Sequence, residues 1–152
     1  MIRHPARILA LGLGSGLLRP APGTWGTALA WLSWFLFLEN QSLLVQAWVL
    51  TLAFLLGIKA CHITGKHLGI TDHSAIVIDE VVAFWLVLWL IPNSLLSQGY
   101  AFILFRLFDI LKPQPIRFFD GHWKHGLGVM FDDILAGFYT LLVFAIGQRL
   151  LA

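Results

Sequence analysis

The sequence predicts an all-α fold: a polytopic membrane helical bundle with short helical hairpins. Three observations carry this expectation. Apolar residues make up 59% of the 152-residue chain and charged residues 12%, the latter about half the share of a soluble domain. The mean hydropathy is +0.81. A chain this short has room for a single domain, 1–152, and too little interior to bury so much apolar surface, so lipid must solvate much of it. The apolar runs do not alternate, which argues against strands. Lipid cannot satisfy open backbone groups, so the runs must be helical. A soluble enzyme, a disordered chain and a nucleic-acid binder are thereby excluded. The formal net charge of +2, with no basic run, offers nothing to a polyanion.

Arg3 and Arg7 precede an apolar run from Ile8 to Leu18, broken by Gly12, Gly14, Ser15 and Gly16. With no small-x-small cleavage site it reads as a retained segment rather than a signal peptide. Five longer apolar stretches follow: Thr27–Leu38, Leu43–Ile58, Val81–Pro92, Leu95–Leu107 and Ile134–Leu151. Several fall short of the ~20 residues needed to cross a bilayer, and 75–78 and 129–131 are expected to lengthen the third and fifth. Glu39-Asn40-Gln41 and Pro92-Asn93-Ser94 are so short that they must be tight turns between antiparallel helices. The single cysteine, Cys61, excludes an internal disulfide and reads as a small buried residue.

These hairpins place the N-terminus, 59–80 and 105–133 on one face. Arg3, Arg7, Arg19, Lys59, Lys66, Arg106, Lys112, Arg117 and Lys124 share it, and Arg149 lies opposite. The Lys/Arg excess marks that face as cytoplasmic.

All the carboxylates but Glu39 fall on the same face. Asp79-Glu80 opens the third stretch, Asp109 follows the fourth, and Asp132-Asp133 opens the fifth. A carboxylate in a first helical turn can be a cap. One acid suffices for that, however, and two adjacent acids repel. Two pairs and Asp109 converging in a small bundle call for a cation. Mg²⁺ suits carboxylate oxygens and keeps waters for chemistry.

Arg106 and Asp109 share a helix face if the fourth helix reaches them. Lys112 and Arg117 flank two prolines. They serve either as positive-inside anchors or, with Arg106, as a phosphate clamp. Gly12-Leu13-Gly14-Ser15-Gly16 fits neither a dinucleotide fingerprint nor a P-loop, and reads equally as close helix packing. Pro22-Gly23-Thr24 reads as a turn capping a helix at Thr24, whose backbone N–H groups can bind phosphate. His73, beside Asp72, is the best candidate proton carrier.

Taken in order, these motifs resemble the bacterial phosphatidylglycerophosphatase A family. The resemblance rests on 12–16 with Pro22-Gly23-Thr24-Trp25-Gly26, on Asp72-His73-Ser74 with Ile78-Asp79-Glu80, and on Phe105-Arg106-Leu107-Phe108-Asp109 running to Lys112-Pro113. It continues through Pro115-Ile116-Arg117, Phe119-Asp120 and Gly126-Leu127-Gly128-Val129-Met130-Phe131-Asp132-Asp133. His125 stands where that family often has a further glycine. The resemblance implies a multi-pass, Mg²⁺-dependent phosphatase of the bacterial inner membrane that converts phosphatidylglycerophosphate to phosphatidylglycerol. Its expected catalytic and metal-binding residues are Asp79, Glu80, Asp109, Asp132 and Asp133. His73 is added for proton transfer, and Arg106, Lys112, Arg117 and Thr24 for phosphate. The expected partners are the phospholipid substrate and the bilayer; no nucleic acid or protein partner is expected. The rival from another class is a divalent-cation transporter or channel subunit. The spaced aspartate signature of CDP-alcohol phosphotransferases is absent.

Overall fold

A computed structural model describes residues 4–70, 73, 76–114, 117–118 and 126–151. All its regular structure in these residues is helical. Helix α1 is Pro5–Ala10, followed by a tight 3-10 segment at Gly12–Leu17. Helix α2, Pro22–Ser33, runs on into a π-helical turn at Trp34–Leu38. Helix α3 is Leu43–Leu68, α4 is Ile78–Leu90, α5 is Leu95–Leu111 and α6 is Gly126–Leu151.

Both expected hairpin turns are present. Ser42 and Ser94 cap α3 and α5, their hydroxyls accepting from the N–H groups of Val45 and Ser97 at 3.3 and 3.2 Å. The boundaries differ from expectation in a way that matters for the site. α3 and α5 run on past Ile58 and Leu107, and α6 starts eight residues before Ile134. The added residues mix polar and small ones, such as Lys59, Asp109 and Gly126, with apolar ones, and they favour helix once neighbouring helices pack on them. α4 starts at Ile78, so Ile78 lengthens it as expected and 76–77 do not. Its 13 residues span about 20 Å, too short for a ~30 Å hydrocarbon core. Among the described residues two helices, α3 and α6, are long and apolar enough to cross a membrane.

α4 is the centre of the bundle. Val81, Val82, Ala83, Phe84, Val87 and Leu88 are all buried, and α4 packs on α2, α3, α5 and α6. α2, α4 and α6 start at the same end, where α3 and α5 finish. At the other end Gln98 is buried, donating to Glu39 Oε1 and Asn93 Oδ1, both at 3.1 Å, and accepting from Trp31 Nε1 at 2.8 Å. Many large apolar side chains point outward, among them Leu52, Leu55, Ile103, Leu142 and Ile146. A lipid surround accounts for them.

Glycines set two close approaches. Gly12 and Gly26 both press on Val77, where an added Cβ would come within 2.8 and 2.7 Å. Gly12 also sits at φ +56°, in the left-handed region that favours glycine. Together they fix the residue just before α4, so packing accounts for Gly12, whereas a Cβ on Gly14 would meet nothing within 4 Å. Gly126 lies against α3: an added Cβ would overlap the Ile58 carbonyl oxygen and come 3.1 Å from His62 Cβ. Backbone cannot move aside as a side chain can. We expect Gly126→Ala to cost about 1–3 kcal/mol, seen as a lower unfolding midpoint in detergent. Gly147→Ala, which meets nothing within 4 Å, is expected to leave that midpoint unchanged or raise it.

Candidate active site

The common end of α4, α5 and α6 holds a small polar cavity of about 80 Å³. His73, Asp79, Glu80, Asp109, Lys112, Asp132 and Asp133 line it, with Ile76 and Val129 as apolar wall. Seven of the sequence-predicted site residues thus meet in one place, drawn from three helices and the segment before α4.

Each element delivers its side chains for a local reason. Asp79 and Glu80 are in the first turn of α4, whose N-cap, Val77, has no capping side chain. Asp79 Oδ1 accepts from the Glu80 N–H at 3.0 Å, so one of its oxygens does act as a cap. Asp132 and Asp133 are different. They were expected to open their helix, yet α6 begins at Gly126 and they lie about two turns inside it. Capping therefore cannot explain them. They are 5% and 4% exposed, Asp79 is 5% and Glu80 9%. Four carboxylates at this depth are costly unless a cation compensates them.

Asp79, Glu80 and Asp133 each offer an oxygen within 4.8 Å of the others. An all-oxygen donor set of this spacing fits a hard divalent cation such as Mg²⁺. Asp109 and Asp132 line the same cavity.

α5 does reach Asp109, so Arg106 and Asp109 share a face as expected. Arg106 Nη1 pairs with Asp109 Oδ2 and lies 3.5 Å from Glu80 Oε1. Its Nε is buried without a hydrogen-bond acceptor. The guanidinium thus bridges two helices beside the acids and keeps a donor in reserve. Lys112 closes α5 in a left-handed conformation, φ 45°, and lines the cavity.

The start of α2 abuts this bridge. A Cβ on Gly23 would overlap Glu80 Oε1 and come 2.8 Å from Arg106 Nη2. Thr24 needs a correction. The helix begins at Pro22 with Ala21 as N-cap, so Thr24 is the third helical residue and cannot cap. It is half-buried next to Gly23 and does not line the cavity. Arg117 is exposed and does not line it either. The Tyr139 hydroxyl donates to the Gln114 carbonyl at 2.8 Å, which holds Gln114 against α6. Asp72, Ser74, Asp120 and His125 lie outside the described residues.

The part played by Gly23 was not foreseen. Gly23 and Gly26 are three apart and face α4 together, a small-residue pattern. It was legible only with the helix begun at Pro22.

The sequence model of the family described as phosphatidylglycerophosphatase A matches residues 8–148. A protein named phosphatidylglycerophosphatase A from Haemophilus influenzae is 45% identical over 143 residues, 92% of this chain and 86% of the relative. One of the same name from Escherichia coli is 40% identical over 137 residues, 88% of this chain and 78% of the relative. A Bacteroides thetaiotaomicron protein, provisionally named as a phosphatidylinositol-3-phosphatase, is 36% identical over 148 residues, 93% of this chain and 92% of the relative. No solved structure matches. Identity of this extent, reaching across every helix that builds the cavity, makes the chain a member of the phosphatidylglycerophosphatase A family.

Proposed function

We propose that this protein removes the terminal phosphate of phosphatidylglycerophosphate, leaving phosphatidylglycerol, by Mg²⁺-dependent phosphomonoester hydrolysis. The observation that carries the reading is the cavity itself, whose buried acids share it with Lys112 and stand beside Arg106. The family membership and the names of its two phosphatidylglycerophosphatase A relatives support the choice of substrate.

Asp79, Glu80 and Asp133 would hold Mg²⁺, with Asp109 and Asp132 completing the acidic wall. When bound, Mg²⁺ supplies positive charge that polarises a phosphoryl oxygen and acidifies water. Arg106 and Lys112 meet the phosphate and offset negative charge as the P–O bond breaks. The first N–H groups of α2, beside Arg106, add an anion-binding helix start. Thr24 belongs to that start. His73 carries the proton to the leaving alkoxide or from the attacking water. Arg117 greets the anionic headgroup from the rim. The protein is a multi-pass protein of the inner membrane. Its cavity faces the cytoplasm, because the cationic loops cluster at that end.

The same acids in a transporter would need a path through the bundle, but the other end is occupied by the Glu39–Gln98–Asn93 network. Protein in liposomes separates the two readings. We expect phosphate release from phosphatidylglycerophosphate that stops with EDTA and returns with Mg²⁺, and no Mg²⁺ flux. Flux without phosphate release would replace the phosphatase with the transporter.

A further inference from the structure

We infer that the seam between α2 and α5 is an acyl-chain site, holding one fatty chain of the lipid whose phosphate sits at Arg106. This rests on the phosphatase reading and specifies how the substrate is held. α2 and α5 each pack on α4 more than on each other. They come together at the cavity end, where Gly23 abuts Arg106. They meet again at Trp31, which donates to Gln98 at 2.8 Å and stacks on Phe102 at 5.7 Å.

Between and around these points lie two apolar hollows. The larger, about 750 Å³, is lined by Trp31, Leu95, Leu96, Gly99, Phe102 and Ile103 among others. The smaller, about 270 Å³, shares Trp31 and Leu95 and adds Ala28, Leu32 and Phe35. They share the walls Trp31 and Leu95, and together make up the trough assigned to the chain.

Three features identify the occupant. The trough is almost wholly apolar, with Trp31, Phe102 and Ile103 as walls. Its upper end, Ile103, is one helical turn from Arg106, which carries the positive charge a phosphate requires. From Arg106 to Leu95 along α5 is about 16 Å, so the seam runs from the cavity to the Gln98 end of the bundle. A chain tethered to a phosphate at Arg106 would run along the seam towards that end. Two other apolar hollows, beside Trp85 and beside Trp89, include no residue of α5.

Gly99 is the sensitive position. A Cβ there would lie 3.7 Å from the Trp31 ring, so alanine fits and a large side chain fills the trough. Ile103, 66% exposed, accepts bulk without disturbing the core. The test compares kcat/KM for dioleoyl and dihexanoyl phosphatidylglycerophosphate in the native protein, Gly99→Trp and Ile103→Trp. We expect the long-to-short ratio to fall at least about fivefold in both variants, as buried methylenes lose their contacts. An unchanged ratio, or equal losses on both lipids, overturns the seam. Absence of phosphate release from either lipid by native protein overturns the functional reading instead. Should both variants fail to fold, native protein is photolabelled with a substrate carrying a diazirine in one acyl chain. Labels on Trp31, Gly99 or Ile103 that excess unlabelled substrate removes are expected. Competable labels confined to α3 residues such as Leu52 and Leu55 overturn the seam.

Discussion

Asp133→Asn is expected to lower kcat/KM for phosphatidylglycerophosphate by at least about 100-fold. Loss of a residue that only supports a metal ligand already costs about 10–100-fold, and Asp133 is one of three acids whose oxygens lie within 4.8 Å of one another. Asparagine keeps the shape and removes the charge. A second readout separates this loss from damage to the fold. Without metal the clustered carboxylates repel, so the variant's unfolding midpoint in EDTA should exceed that of the native protein. Activity loss together with a lower midpoint in EDTA would assign Asp133 to packing rather than to the cation.

The second large effect is expected at Arg106. Lysine there keeps one positive charge but cannot reach Glu80 and Asp109 together, as the guanidinium does. It also loses the Nε donor that is buried without an acceptor. Loss of one preorganised donor to a developing oxyanion costs about 10²–10³-fold in kcat, and Arg106→Lys should fall in that range at saturating Mg²⁺. A change within about threefold would reduce Arg106 to a structural ion pair.

The acids and the cations were legible as types and as positions along the chain. Asp79-Glu80, Asp109 and Asp132-Asp133 each stood next to an apolar stretch, and the two short turns fixed which end of the bundle they shared. Their depth was not legible. Asp132 and Asp133 were assigned to the start of a helix because the apolar run begins at Ile134. The preceding Gly126-Leu127-Gly128 looked like loop. In the fold Gly126 lets α6 begin early against the Ile58 carbonyl, which sinks the pair about two turns below the helix start. Thr24 failed for a related reason. Proline at the first position of a helix needs no N–H partner, so Pro22 opens α2 and Thr24 lies beyond the cap. Arg117 was read together with Lys112, but only Lys112 lines the cavity and Arg117 is exposed beyond it, a difference that no local pattern encodes. Close packing was one reading of the 12–16 glycines, and the contact of Gly12 with Val77 supports it there.

The most direct test of the cation-assisted phosphatase is phosphate release from phosphatidylglycerophosphate by purified protein in detergent. It is run with Mg²⁺, with EDTA, and with Asp79→Asn in Mg²⁺. Release that requires Mg²⁺ and collapses in the variant is the predicted result. Release undiminished by EDTA, or retained by Asp79→Asn, would contradict a metal-dependent site built on these carboxylates.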